Sequence, residues 1–222
     1  MFKRDVSFPI VNIRPWKFPA AEQPMARRVH AALGILPKYV TKFEAALMLF
    51  EKCREEQQKL DMMRDPNRQI YSEWKSIAAR DGAMTVRHVQ QILQLLNNID
   101  APTLRGLINE PYKKTANRLM AAKFSKIARV RNSVGHSAQF HFKGNTTIQR
   151  SLPAIGLSLG REAAVAITEG IQGDVYMTTI DNEVVEYANN EASLNTLAEI
   201  ALAIKRAFEP AQQFSLRAKP LS

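Results

Sequence analysis

Cysteine is almost absent from this chain of 222 residues, because Cys53 is the only one. A single cysteine excludes a disulfide within the chain and a zinc site built from several cysteines, and it favours a reducing compartment. Long apolar runs are missing too, since no stretch approaches the roughly 18 apolar residues of a membrane span. The first residues lack the sustained apolar segment and cleavage site of a signal peptide. We therefore expect a cytoplasmic protein with no membrane partner.

Signatures of metal and cofactor chemistry are also missing. The four histidines include no His-x3-His pair, and no Cys-x2-Cys arrangement accompanies them. The sequence contains no glycine-rich phosphate loop, G-x-S-x-G elbow or kinase signature. We predict that the protein needs neither a metal ion nor a cofactor.

Positive charge is what the sequence has in excess. It contains 31 Lys and Arg against 21 Asp and Glu, which gives a net charge of +10. Hydrophobic residues make up 45%, enough to bury a core, so the chain is not a disordered basic tail. This balance favours a polyanionic partner, with nucleic acid first and an anionic membrane surface second.

Composition divides the chain into four segments. They are an extended proline-rich arm (1–24), a helical core (25–142), a β-containing insertion (143–189) and a C-terminal helix with a short tail (190–222). The prolines of the arm exclude a helix there. We expect the arm to lie on the body of the protein, anchored by Trp16 and Phe18.

Apolar residues recur at helical spacing through the core. The predicted helices span about 37–63, 68–80, 86–97 and 190–208, and a further one begins at Pro111 and runs towards residue 131. Asp81-Gly82 is expected to end the second helix, Thr85 to cap the third and Pro210 to end the last.

Residues 174–188 read as two β-rich arms around Asp181-Asn182, which predicts a hairpin. The expected fold class is therefore mainly α, a helical bundle with a small β-hairpin insertion before the C-terminal helix.

The sequence RNSVGH, 131–136, brings an arginine, an amide and a histidine together at the end of the predicted core. Asn132 and His136 are one helical turn apart, and the long side chain of Arg131 can bend towards them, helped by Gly135. Arginine can bind phosphate oxygens with two parallel bonds, and histidine can move a proton near neutral pH. The amide can donate to an oxyanion or hold the imidazole tautomer. This set suits chemistry on a phosphodiester.

RNSVGH resembles the R-x4–6-H signature of HEPN domains, in which a polar residue follows the arginine. The resemblance implies an all-α bundle, a homodimer with two facing motifs, and metal-independent cleavage of RNA. The ribose 2′-OH would attack the adjacent phosphate, leaving a 2′,3′-cyclic phosphate and a 5′-OH. Arg131 would then stabilise the phosphate, His136 would transfer a proton or contact the phosphate, and Asn132 would orient them.

The roles of other HEPN domains also imply a toxin or phage-defence role and an antitoxin or regulatory partner. Some members carry a tyrosine two residues after the histidine as a modification target, but Ala138 stands there, which makes that form of control doubtful. The aromatic stretch Phe140–Phe142 is interpreted either as base-stacking contacts or as core at a helix end.

A basic run precedes the motif, and it predicts either an RNA-backbone track or a solvated helix face. Its candidate RNA-binding residues are Lys113, Lys114, Arg118, Lys123, Lys126 and Arg129.

Three other functions remain open. A catalytically silent HEPN-like module would bind RNA or nucleotide, or a partner protein, without cleavage. A DNA-binding adaptor would use residues 79–93 as a helix-turn-helix, with Arg87, His88 and Gln90 exposed. A purely structural role would leave Arg131 and Asn132 to stabilise the helix end.

Overall fold

The computed structural model describes residues 8–63, 65–130, 169–180 and 183–217. These residues are mainly helical, with one small three-stranded antiparallel sheet, so the coarse fold class is confirmed. The helices are α1 (Gln23–Met63), α2 (Arg68–Asn97), α3 (Pro102–Gly106), α4 (Glu110–Phe124) and α5 (Glu191–Arg217). Two 3-10 turns, Pro15–Lys17 and Ala20–Glu22, precede α1, and residues 127–130 are also helical.

The N-terminal arm lies against α5. Val11 and Ile13 are buried, while Ile10 and Asn12 are exposed, which is the alternation of an extended segment. Phe18 is fully buried with its ring 5.4 Å from that of Phe214, so its predicted role as an anchor is confirmed. Trp16 is 59% exposed, and the prediction that it anchors the arm is wrong, since the smaller aliphatic side chains fill that place.

Helix α1 begins well before the predicted start near Pro37, which lies inside the helix. Proline removes one backbone hydrogen bond from a helix interior. The turns before it nevertheless bury Val29, Leu33 and Leu36, and this packing outweighs the local cost.

Helix α2 is continuous through Asp81-Gly82, so the predicted break there is wrong. Thr85 is a buried interior residue of that helix and not a cap. Buried residues on both sides of Gly82, among them Ala79 and Val86, hold the two predicted helices together as one.

The ends of α4 and α5 and the burial of α2 differ in part from what the sequence predicts. Pro210 lies inside α5, which continues to Arg217, because Phe208 and Ala211 on either side of it are buried. On α2, Ile70, Trp74 and Ile77 sit at helical spacing as predicted but are about half exposed. The helix predicted from Pro111 is α4, and it stops before the motif at a turn over residues 125–126.

The predicted hairpin is confirmed by its register. Strands β2 (Val175–Ile180) and β3 (Glu183–Ala188) are antiparallel, and Ile180 pairs with Glu183 across the two-residue connection. A further strand that the sequence did not predict, β1 (Glu169–Gln172), pairs with β2. Gly173, with φ of +62°, makes the tight turn between them.

The chain forms two compact units. Unit 1 comprises Met1–Ala45, Thr85–Ser125 and Glu191–Ser222, and unit 2 comprises Ala46–Met84 and Lys126–Asn190. Helices α1 and α2 each contribute one segment to unit 1 and one segment to unit 2.

Unit 1 is built around α5, which packs against α4. Its core is aliphatic and aromatic. The largest fully buried side chains there are Ile13, Phe18, Leu33, Leu36, Phe43, Leu96, Ile99, Leu104 and Phe208.

Unit 2 combines helical segments with the sheet. The hydroxyl of Tyr187 on β3 donates to the backbone carbonyl of Ala79 on α2, so a buried polar contact ties the sheet to the helix. The lone cysteine, Cys53, is buried in this unit, and burial raises the pKa of its thiol.

Candidate nucleic-acid interface

The RNSVGH motif lies outside the described residues, together with Phe140–Phe142. The described chain stops at Val130, immediately before Arg131. Residues 127–130 are helical, and Ile127 and Val130 are buried. The segment that leads into the motif is therefore a helix with one face in a core.

On α4, the candidate RNA-binding residues do not all lie on one face of the helix. Lys114 and Arg118 are one turn apart on the exposed side of α4. At about 100° per residue, Lys123 projects from nearly the opposite side of the helix from Lys114. Lys126 lies in the turn that ends α4 and Arg129 follows it, and both belong to unit 2. On α4, only Lys114 and Arg118 lie one turn apart on the exposed side.

Lys113 has a local structural partner. Its ammonium nitrogen lies 2.6 Å from Oε1 of Glu110 at the start of α4, and its side chain is only 17% exposed. An ion pair of this kind neutralises the charge where a phosphate would have to bind. Lys113 is therefore a weaker candidate for RNA contact than Lys114.

Two further cations of unit 1, Lys205 and Arg105, donate hydrogen bonds to backbone carbonyls. The ammonium of buried Lys205 donates to the carbonyl of Pro9 at 2.8 Å and lies over the Phe8 ring, and burial lowers its pKa. The guanidinium of Arg105 donates twice to the carbonyl of Ile99, at 3.1 and 2.7 Å. Both side chains secure backbone segments.

The first half of α1 carries a cationic face that the sequence did not predict. Arg27, Arg28, Lys38 and Lys42 are all exposed on this helix. Because the helix was predicted to begin near Pro37, the arginines were not placed on the same element as the lysines. Arg27 and Lys38 are eleven residues apart, about three helical turns, and this spacing places both side chains on the same side of a helix.

Charge is distributed unequally between the units. The described residues of unit 1 contain fifteen Lys and Arg against seven Asp and Glu, a surplus of eight positive charges. Those of unit 2 contain eight against eleven, a deficit of three. Unit 1 is therefore the part of the described chain whose field attracts a polyanion.

Several cations of unit 2 lie in local ion pairs. Lys52 and Lys59 both lie on Oε1 of Glu56, at 2.8 and 3.0 Å, and hydrogen bonding to Glu56 raises the pKa of Lys52. Arg68 lies 3.4 Å from Asp61. These pairs are exposed and add little stability, but they cancel charge.

The helix-turn-helix interpretation of residues 79–93 is wrong in its structural premise. Its turn would lie at Gly82, inside the unbroken helix α2. The candidate base-reading side chains are half-buried: the Arg87 guanidinium donates to Gln90 Oε1, and the His88 ring lies 5.1 Å from the Tyr39 ring. Without a turn, no second helix is presented to a DNA groove.

Within the described ranges, no three His, Cys, Asp or Glu side chains are grouped as metal ligands would be. No helix in the same ranges combines the length and the apolarity that crossing a bilayer requires.

Comparison with known proteins returned no match to a family model, a curated protein or a solved structure. The HEPN resemblance therefore rests on the motif and on the helical character of the chain.

Proposed function

We propose that this chain is a metal-independent endoribonuclease of the HEPN type, with RNSVGH as its active site. The motif itself carries the proposal, because it combines a phosphate-binding guanidinium with a histidine that titrates near neutral pH. Two observations support it: the segment entering the motif is a helix packed through Ile127 and Val130, and unit 1 has a surplus of positive charge.

The proposed reaction is an internal phosphoryl transfer. The ribose 2′-OH loses its proton and attacks the adjacent phosphorus, and the bond from phosphorus to the 5′ oxygen breaks. That oxygen takes up a proton, which leaves a 2′,3′-cyclic phosphate and a 5′-OH. His136 transfers a proton, Arg131 stabilises the charge that develops on the phosphate, and Asn132 orients the two.

Cleavage of a mixed RNA pool in EDTA tests this function. We expect wild-type protein to produce cyclic phosphate ends, and we expect His136→Ala and Arg131→Ala to abolish cleavage, because the proton donor or the phosphate clamp is lost. The matched control is His30→Ala, which removes a half-buried histidine of α1 outside the motif and should leave cleavage intact. Thermal unfolding of each variant checks that the fold is retained.

Cleavage that survives in both motif variants would refute the assignment. Cleavage that requires a divalent ion would refute the metal-independent mechanism, which makes the EDTA condition a test in its own right.

A second candidate is an RNA-binding module that does not cleave. The cationic face of α1 favours it, because none of its four basic residues belongs to the motif. This candidate predicts saturable, salt-dependent RNA binding by wild type and by His136→Ala alike, with no product from either.

A further inference from the structure

The first half of α1 presents a continuous basic face. At about 100° and 1.5 Å per residue, Arg27, Arg28, Lys38 and Lys42 fall within an arc of about 100° and span roughly 22 Å along the helix. All four are exposed. Three of them, Arg27, Arg28 and Lys38, have no ion-pair or hydrogen-bond partner among the described residues.

No carboxylate of the helix itself lies on this face. The only acidic residue on the helix from Gln23 to Ala45 is Glu44, which is half-buried on another side. In the middle of the face, nothing lies within 4 Å of the position that a side chain at Gly34 would occupy. Within the described part of α1, therefore, no carboxylate shares the face with Arg27, Arg28 and Lys38, and the position of Gly34 is open.

Glu22, the nearest acidic residue before the helix, already has hydrogen-bond partners elsewhere. The buried carboxylate of Glu22 accepts hydrogen bonds from the backbone N–H groups of Thr103 and Leu104, both at 3.2 Å, and from the Thr103 hydroxyl at 2.8 Å. It caps α3 and is not available to pair with the arginines of α1.

From this geometry, we propose that the exposed face of α1 formed by Arg27, Arg28, Lys38 and Lys42 binds the phosphate backbone of RNA. The choice of RNA rests on the proposed function, and the recognition of phosphates rests on the charge of the face. Arginine and lysine side chains can bind phosphate oxygens, and the two pairs at either end of this face can contact separate phosphates of one strand.

The face is built to bind without reading sequence. Its exposed residues between the cations are Ala31, Gly34, Ile35 and Thr41, none of which is aromatic. Bases have no ring to stack on there, so the contacts are limited to the backbone. We therefore expect affinity to depend strongly on salt and weakly on base composition.

Binding of a labelled, mixed-sequence, single-stranded RNA over a series of KCl concentrations tests the proposal. The His136→Ala background keeps the RNA intact. In that background, Arg27→Gln with Lys38→Gln should weaken binding roughly tenfold at about 0.15 M salt and lower the salt slope by about 1.4, because two phosphate contacts are lost. The same loss is expected for RNAs of different sequence.

The control removes two cations elsewhere. Lys52→Gln with Lys59→Gln lowers net charge equally, but both lysines already lie on Glu56 in unit 2. It should leave affinity and slope close to those of the background. Equal losses in the two double variants, or no loss in the α1 variant, would overturn the proposal.

Failure of this inference can be told apart from failure of the nuclease. If wild type cleaves RNA and the α1 variant binds as tightly as its background, the α1 face is wrong and the active site stands. If nothing cleaves but binding depends on Arg27 and Lys38, the α1 face stands and the nuclease is wrong.

Discussion

At the scale of single residues, burial decides which polar groups serve the fold. Tyr187 in unit 2 is a clear case, because its hydroxyl is buried and donates to the carbonyl of Ala79. Burial raises the pKa of Tyr187 well above the ordinary tyrosine value, and Tyr176 nearby adds to the shift. The neutral hydroxyl is thus favoured in the folded state.

Tyr187→Phe should reduce the free energy of unfolding by about 1 kcal/mol near neutral pH, because one buried hydrogen bond is lost. The pH dependence has a definite sign. A pKa that is higher in the folded state gives stability that is present below the unfolded value of about 10 and is lost as pH rises above it. Urea unfolding at neutral and at alkaline pH measures both effects.

The difference between wild type and Tyr187→Phe should therefore shrink as pH rises beyond 10, where the unfolded tyrosine ionises. Tyr112→Phe, on the partly exposed side of α4, is the control and should show no comparable change with pH. A constant difference across pH would mean that Tyr187 is not held in its neutral form.

At the scale of elements, local signals predicted which segments are helical better than where helices end. The sequence predicts helix boundaries at Pro37, Gly82 and Pro210, and all three lie inside helices. A proline or glycine costs a helix about 1 to 3 kcal/mol. Buried neighbours such as Leu36 and Phe208 supply more than that through packing, which one sequence does not display.

The hairpin was predictable because its two strands are close in the sequence. The β-rich arms on either side of residues 181–182 predict that they pair, and the pairing of Ile180 with Glu183 agrees with this. Strand β1 was missed because Glu169–Gln172 is only four residues long and contains Gly170. Its stability comes from pairing with β2, a tertiary contact that composition does not reveal.

Gly34→Ala tests the early start of α1. Gly34 is exposed inside the helix with open space around it, so alanine should raise the free energy of unfolding by about 0.5–1 kcal/mol. Gly173→Ala is the matched control with the opposite sign, because its φ of +62° strains any residue with a Cβ by about 1–2 kcal/mol. Urea unfolding of both variants gives the two values.

A destabilising Gly34→Ala would mean that residue 34 is not in a helix, and the basic face of α1 would lose its geometry. The same measurement therefore checks the structural premise of the proposed RNA surface independently of any binding assay.

At the scale of the whole molecule, the net charge of +10 predicted a polyanionic partner but not where it would bind. The run before the motif was the obvious candidate, yet its residues are divided between sides of α4 and between units. The face of α1 required knowing that Arg27 and Lys38 share one helix. RNSVGH is visible in the sequence because its residues are neighbours along the chain. The basic face of α1 is visible only in the structure, because its residues are far apart along the chain.

The homodimer that the HEPN resemblance implies gives a prediction for the assembled protein. If two RNSVGH motifs face each other in one site, an excess of His136→Ala protein should suppress cleavage by wild type. Mixed dimers would then contain one intact motif and one lacking its proton-transfer group. The measurement is the cleavage rate at saturating RNA as the variant is added, so that competition for substrate does not limit the rate.

The control separates pairing from simple binding of RNA. His136→Ala combined with Arg27→Gln and Lys38→Gln should suppress wild type as strongly as His136→Ala alone, because dimerisation and not RNA capture causes the loss. Sedimentation of wild type across protein concentrations gives the monomer–dimer equilibrium independently. If wild type sediments as a monomer and cleaves at full rate beside the variant, one motif suffices, and the composite site is wrong although the nuclease remains.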